Sequence, residues 1–246
     1  MSRRLRIGVF LPALGGLAAL LAWAVTGLPD FGHYRGPYGD VLNRIALPER
    51  HTTNVVAATV FDYRGLDTLG EEFILFAAVV GVLLLLRTEI QRSGEPVARI
   101  RSEALRVIGV LAIGPAILVG LWVVAFGYVT PGGGFQGGVA LAGGLLLLYV
   151  ASGYRSWHRL ARERAFDPLE GIGVAGYVCL GLAALASGSA FLENLLGPGK
   201  TGTLWSGGSI GLLNGVTALE VFAANVLLFA EFLEAFVAPV ARRTRA

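Results

Sequence analysis

The sequence predicts an all-α membrane protein that crosses the bilayer about six times. Mean hydropathy over the 246 residues is +0.66, and only 15% of the residues are charged, whereas soluble domains have about 25%. Six apolar stretches are long enough to cross a bilayer, which takes about 20 residues. These predicted spans cover residues 7–28, 69–86, 107–129, 135–154, 169–188 and 208–236. The 35 glycines lie largely in or beside these stretches, which is typical of closely packed membrane helices.

The first predicted span follows a cluster of arginines at Arg3, Arg4 and Arg6. The tripeptide Ala22-Trp23-Ala24 resembles a signal-peptide cleavage site, so a cleaved signal peptide and an uncleaved anchor both fit the pattern. We favour the anchor because the apolar run continues beyond this tripeptide.

The segment between the first two spans is of mixed polarity. Thr52–Tyr63 is predicted to form a short amphipathic helix at the membrane surface, with Gly65 as its C-cap. Thr68 and Glu71 have the spacing of a capping box, which predicts the start of the second span. The external charged cluster at this point consists of Asp62, Arg64, Asp67, Glu71 and Glu72. Capping and ion pairing explain it, and ion access or subunit docking is the alternative.

The positions of the arginines predict the orientation of the chain. Fifteen of the nineteen arginines fall at the N-terminus, in the loops 87–106 and 155–164, and at the C-terminus. With six spans these segments share one side, so the positive-inside rule places both termini in the cytoplasm. The loop 191–207, with Lys200 as its one base, is then external. Within the third span, Gly114-Pro115 predicts a kink.

A glycine break separates the third and fourth spans. We use this name for the octapeptide Pro131, Gly132, Gly133, Gly134, Phe135, Gln136, Gly137 and Gly138. Proline and glycine are poor residues for a helix interior. The break could place Gln136 and the positive helix end beside an ion, water or a carboxylate. Alternatively, the spacing of Gly134 and Gly138 permits close helix packing, and we favour this interpretation.

A carboxyl group near the middle of the sixth span is the strongest candidate for chemistry. A carboxylate at membrane depth is costly, so Glu220 is expected to face protein or water. At 100° per residue, Glu231 and Glu234 share its helix face. We predict a proton or cation relay through Glu220, Glu231 and Glu234, with structural hydrogen bonding as the alternative.

Other function classes have little support in the sequence. The three histidines lie in scattered loops without metal-ligand spacing, and Cys179 is the only cysteine. No nucleophile–base pattern stands out, so we expect neither an enzyme, a metal site nor a cofactor. The arginines form short clusters rather than one basic face, which argues against nucleic-acid binding.

The glycine break, following Gly127-Tyr128, resembles the hallmark of the B subunit (MnhB) of Mrp-type Na⁺/H⁺ antiporters. The resemblance extends over about residues 106–236. Asn54-Val55-Val56 and the run 62–71 resemble the C-terminal part of the large A subunit. In related membrane-bound hydrogenases that part is a separate, MbhE-like subunit. The resemblance therefore implies an MbhE-like two-helix segment at residues 1–100 and an MnhB-like four-helix domain at 101–246.

The resemblance implies an accessory subunit of a multi-subunit antiporter that exchanges Na⁺ for H⁺ in the plasma membrane. Its partners would be the bilayer and the other Mrp subunits, both the large antiporter-like and the small ones. No span contains a lysine, which fits an accessory role better than that of a pump subunit. Two alternatives remain: an ion-translocating subunit of a hydrogenase or complex I-like redox complex, and a non-conducting assembly scaffold.

Overall fold

The computed structural model describes residues 3–28, 36–89, 102–161 and 163–237. The chain divides into two compact units, residues 1–41 and 42–246. The first unit contains α1, Arg3–Thr26, whose stretch Ile7–Thr26 is long and apolar enough to cross a membrane. Most of the predicted loop 87–106 and the C-terminal arginines lie outside the described residues.

The other helices follow in chain order. They are α2 (Pro37–Arg50, across the unit boundary), α3 (Val55–Ala58), the π-helical segment Thr59–Tyr63, α4 (Gly65–Glu89), α5 (Glu103–Ala125), α6 (Gly134–Ser152), α7 (Tyr154–Leu160), α8 (Glu163–Ala186) and α9 (Ile210–Val237). The described residues contain no strand.

The all-α membrane fold is confirmed. Six helices in the described part of the chain have the length and composition of membrane spans, namely α1, α4, α5, α6, α8 and α9. Their ends differ from the predicted ones by up to six residues. α5 ends at Ala125, where the chain turns toward the glycine break, and α8 begins at Glu163, ahead of its apolar stretch.

The prediction for the start of the second span was wrong in detail. Gly65 is the first residue of α4 rather than a C-cap, because the chain already breaks at Arg64 (φ −133°, ψ 36°). Thr68 lies inside α4 and does not cap it, since its hydroxyl donates to the Val60 carbonyl at 2.6 Å. The segment Thr52–Tyr63 is likewise not one amphipathic helix but an N-cap, the short α3 and a π-helical turn.

Two helices were not predicted. The sequence indicated no helix over residues 37–50 and predicted a loop over residues 155–164, but these segments contain α2 and most of α7. Both helices are anchored by tertiary burial, of Ala46 in α2 and of Trp157 in α7. Neither anchor creates a long apolar stretch in the sequence, so neither was visible to an argument from hydropathy.

α9 is the central helix of the second unit. It contacts α4, α5, α6 and α8, and it is the most buried of the six span-length helices. One hydrophobic cluster surrounds its C-terminal half, with Trp157 and Phe166. A second surrounds its N-terminal end, with Phe61, Tyr128 and Tyr177. The residues of the candidate site described below lie on this helix and on the helices packed against it.

Glycines allow α6 to pack closely between α5 and α9. A Cβ at Gly138 would lie 2.8 Å from the Val221 Cβ and 2.9 Å from the Ala218 carbonyl oxygen, both on α9. On the α5 side, a Cβ at Gly144 would lie 2.8 Å from the Ile117 side chain. Real Cβ atoms do not approach so closely, so these positions exclude larger residues unless the helices separate.

We predict that Gly138→Ala lowers the free energy of unfolding by about 1–3 kcal/mol, because the added methyl group overpacks the α6–α9 contact. Gly143→Ala is the matched control, since it lies on the same helix and a Cβ there would meet nothing within 4 Å. Thermal unfolding of the detergent-solubilised protein measures both. Equal melting temperatures for the two variants would contradict the close-packing interpretation.

Candidate functional site

The buried face of α9 carries a line of polar residues. Glu220 and Glu231 are completely buried, and Glu234 is 5% exposed. Thr217, one turn before Glu220, is also buried. The structure thus places the three predicted relay carboxyls on the side of α9 that faces other helices, and their relay role remains a prediction.

Two further buried carboxyls come from the helices beside α9. Glu72 of α4 is fully buried and Glu170 of α8 is 2% exposed. The Glu72 carboxyl lies beside the Thr217 hydroxyl without a well-formed hydrogen bond between them. α8 packs directly on Glu220, because a Cβ at Gly173 would lie 2.6 Å from the Glu220 Cβ. Glu170 is one turn from that contact.

Several buried oxygen atoms in this region have no hydrogen-bond partner within the described part of the chain. They are both carboxyl oxygens of Glu72, both of Glu220, one of Glu170, the Thr217 hydroxyl and the Asn214 amide oxygen. Leaving such a group unsatisfied costs about 1–3 kcal/mol. Native proteins normally satisfy these groups with protein or ordered water, so their concentration at one junction makes this junction the candidate functional site.

The other end of the polar line is built differently. Glu234 accepts a hydrogen bond from the Tyr154 hydroxyl at 3.0 Å. The His158 ring stacks on Tyr154, and its Nδ1 lies 3.7 Å from the Glu234 carboxyl. Because His158 is exposed, this group connects the buried face of α9 to the surface.

The external charged cluster does not form one unit. Asp62 accepts hydrogen bonds from Arg50 at 2.5 Å and from Asn194 at 3.1 Å, while Arg64 pairs with Asp67. Glu72 belongs elsewhere, since it lies inside the bundle while its neighbour Glu71 is exposed. Consecutive helical residues point about 100° apart, which explains the separation.

A cavity of about 890 Å³ opens beside this cluster, between the start of α4 and the loop before α9. Burial opposes the charge of Arg50, but the hydrogen bond and charge of Asp62 outweigh it and raise the pKa of Arg50. Burial, followed by the hydrogen bond to Glu49, raises the pKa of Tyr63 to about 12. Tyr63 therefore remains a neutral donor near neutral pH. The side chains of Arg50, Asp62 and Tyr63, which line the cavity, are thus held in an ion pair and in hydrogen bonds.

The carbonyl groups on the N-terminal side of the glycine break are capped by residues 52–54. The Asn54 side-chain amide donates to the carbonyls of Gly127 at 2.6 Å, Thr130 at 3.2 Å and Gly132 at 3.4 Å. The Thr52 and Thr53 hydroxyls donate to the carbonyls of Tyr128 and Val129. The Asn54 amide oxygen also accepts from two backbone N–H groups of α3. Carbonyl groups at and beyond the end of a helix have no hydrogen-bond donor within that helix. Residues 52–54 supply these donors for the turn between α5 and α6.

The residues of the break itself divide by environment. Gly133, Gly134, Gly137 and Gly138 are buried, Gly132 and Phe135 are partly buried, and Pro131 and Gln136 are exposed. Gly133 has φ 157° and ψ 171°, a conformation that is essentially restricted to glycine. A Cβ at Gly134 would lie 2.8 Å from the Thr217 Cβ, so the first turn of α6 lies close to the polar line. Among the described residues, no group of His, Cys, Asp and Glu could hold a metal ion.

Sequence reasoning did not identify Glu170, Tyr154 or His158 as parts of this site. Glu170 is the second residue of the predicted fifth span, where a carboxyl group is ordinarily interfacial. The sequence could have indicated a role for Glu170 through its position inside a predicted span. It could not show that α9 packs against this side of α8. Asn214 of α9 donates its side-chain amide to the Val124 carbonyl of α5 at 2.5 Å. Asn225 instead bonds the Val221 carbonyl of its own helix.

Comparison with known protein families gives a match over half of the chain. Residues 104–227 match the sequence profile described as a domain related to the MnhB subunit of Na⁺/H⁺ antiporter. A curated relative, an uncharacterized protein of Methanocaldococcus jannaschii, is 33% identical in an alignment of length 171, which covers 62% of this chain. This chain spans 64% of that relative's length.

Solved structures with the same fold come from two kinds of membrane complex. A chain of the membrane-bound sulfane sulfur reductase, an archaeal respiratory membrane complex, is 30% identical with a TM-score of 0.71. The alignment covers 93% of this chain and 98% of that one. A chain of the Mrp complex from Dietzia sp. DQ12-45-1b gives a TM-score of 0.67, covering all of this chain and 27% of that one. At 22% identity, this second similarity shows the fold alone.

We predict that Asn54→Ala lowers the free energy of unfolding by about 2 kcal/mol, because it removes an N-cap and leaves the carbonyls near the glycine break without a donor. Thr59→Val is the control, since within the described part of the chain the Thr59 hydroxyl bonds only the Val55 carbonyl of its own segment. Thermal unfolding in detergent compares the two. An Asn54→Ala protein as stable as the control would show that these hydrogen bonds contribute little.

Proposed function

Because the chain belongs to the family defined by a domain related to the MnhB subunit of Na⁺/H⁺ antiporters, we propose that it is an accessory membrane subunit of an Mrp-type Na⁺/H⁺ antiporter. The coarser assignment, a membrane subunit of an Mrp-like complex, rests on the family match and the two structural similarities. In the finer proposal, the subunit supports assembly and also carries protons through Glu220, Glu231 and Glu234.

The observation that supports the proton-carrying role is the environment of Glu220. Its side chain is fully buried in the middle of α9, and neither oxygen has a hydrogen-bond partner in the described part of the chain. A purely structural carboxyl would be expected to bond a neighbouring helix, since an unsatisfied buried group is destabilising. A group that exchanges protons with changing partners is not required to hold one fixed bond.

The orientation and the division of the chain belong to this proposal as well. The clusters of arginines support cytoplasmic termini, with the glycine break toward the outside. The matched domain begins at residue 104, which supports an MnhB-like part from about residue 101 and an MbhE-like part before it. The other Mrp subunits would then surround the exposed apolar faces of α4 and α5 together with lipid.

We predict that Glu220→Gln lowers Na⁺-driven proton movement by at least about tenfold in vesicles that contain the purified complex, because the amide cannot take up and release a proton. The substitution keeps size and polarity, so the complex is expected to assemble. Glu103→Gln, at the exposed first turn of α5, is the control and retains transport. Normal transport by a fully assembled Glu220→Gln complex would refute the relay.

A redox-linked complex is the second candidate, and a specific observation favours it. The alignment covers nearly the whole length of the sulfane sulfur reductase chain, at a higher identity than the Mrp chain. In that case the same relay would be driven by electron transfer in partner subunits.

The composition of the purified complex distinguishes the two candidates. We predict that the complex, isolated from its native membrane by a tag on this chain, contains the large antiporter-like and the small membrane subunits and no iron. Metal analysis and acid-labile sulfide determination provide the measurement. Stoichiometric iron and sulfide would reject the antiporter in favour of the redox-linked complex, while leaving the role of Glu220 open to the transport test.

A further inference from the structure

The predicted relay on α9 has a gap that a single helix does not close. Eleven residues separate Glu220 from Glu231, roughly 16 Å at about 1.5 Å per residue. The residues between them on the same face, Ala224 and Leu227, are apolar and fully packed. A proton cannot cross this distance between the two carboxyls directly.

Glu170 lies in the gap. Gly173 packs on Glu220 and Gly176 packs on Val216, so α8 and α9 run antiparallel. Glu170, three residues before Gly173, is therefore displaced from Glu220 toward Glu231 by about 4.5 Å. It is 2% exposed, and one of its oxygens has no partner in the described part of the chain. The remaining axial distance to Glu231 falls to roughly 12 Å, within reach of two long side chains and a bridging water.

Glu72 lies on the opposite side of Glu220. The hydroxyl of Thr217, beside Glu72, is one helical turn before Glu220 on the same face of α9. Both carboxyl oxygens of Glu72 and the Thr217 hydroxyl oxygen are buried without a partner in the described residues. A hydroxyl group can accept a proton on one side while donating its own on the other, so Thr217 can join the two carboxyls without changing its own charge.

We infer that Glu72 and Glu170 are further proton-carrying residues, which connect Glu220 through Thr217 to the predicted external end and toward Glu231 at the predicted cytoplasmic end. This inference rests on the proposed function and extends it from one helix to three. The path uses carboxyls from α4, α8 and α9, and its last group is Glu234 with Tyr154 and His158. Each transfer moves one proton from a carboxylic acid to the next carboxylate, either directly or through the Thr217 hydroxyl or a water molecule. The hydroxyl or water accepts one proton while it releases another, so no other reactant is needed.

Single substitutions in the whole complex test this path. Proton movement in vesicles is measured for Glu72→Gln and Glu170→Gln, with Glu103→Gln as the control, after assembly of each complex has been verified. We expect both buried variants to lower the rate by about tenfold or more, while the control is unchanged. Glu170→Asp, which keeps a carboxyl group, should retain more activity than Glu170→Gln.

The hydroxyl group has its own matched pair. Thr217→Val should slow proton movement, and Thr217→Ser should restore it, because serine keeps the hydroxyl group and valine keeps the shape. Infrared spectra in light and heavy water add a readout that a structural role would not change. Each of Glu72→Gln and Glu170→Gln should remove one exchangeable carboxyl signal from the spectrum recorded during turnover.

The outcomes separate this inference from the proposed function. If Glu220→Gln stops transport while Glu72→Gln and Glu170→Gln assemble and transport normally, the three-helix path is refuted and the role of Glu220 stands. If all three variants transport normally, both ideas fail. If a glutamine variant does not assemble, the assembled aspartate variant at that position decides instead. It should change the transport rate and shift one turnover-dependent carboxyl signal, and an unchanged rate and spectrum would overturn the inference.

Discussion

The turn between α5 and α6 must satisfy its backbone polar groups without a regular helix, and the arrangement of the second unit depends on how it does so. Carbonyl groups at the boundary of an apolar region are costly when they lack donors. Here the donors come from Thr52, Thr53 and Asn54, more than seventy residues earlier in the chain. With its carbonyls bound, α6 can begin at Gly134 directly against α9. The position of the polar line on α9 follows from this contact.

Close packing and buried carboxyls are linked along α9. The same glycine residues that let α6 and α8 approach α9 leave no room for side chains that would separate the helices. Carboxyl groups facing such a junction are shielded from lipid, which makes them tolerable at membrane depth. Their unsatisfied oxygens nevertheless cost stability, and a protein retains that cost where function requires it. The packing and the candidate proton path are therefore two aspects of one helix arrangement.

The sequence predicted those features that are local in the chain. Apolar length identified the six spans, and the 100° rotation per residue placed Glu220, Glu231 and Glu234 on one face of α9. Features that depend on distant contacts were missed. The sequence grouped Glu72 with its charged neighbours. Its contact with Thr217 of α9, a residue far away in the chain, is visible in the structure alone. The sequence predicted a basic loop in place of α7, because the burial of Trp157 requires a pocket formed by other helices. The role of the relay residues remains a prediction.

The side-chain amide of Asn54 uses its oxygen to cap α3 and its nitrogen to bind the turn before α6. If the chain divides near residue 100, as the sequence predicts, this residue joins the two parts. In a fused chain the two parts meet within one molecule. The effective concentration of one part near the other is therefore set by the linker and is independent of the expression level. Two separate proteins with the same contacts would have to find each other in the bilayer and would dissociate on dilution. Fusion thus fixes a one-to-one ratio of the two parts. A few hydrogen bonds such as those of Asn54 are then sufficient to keep the parts in their relative positions.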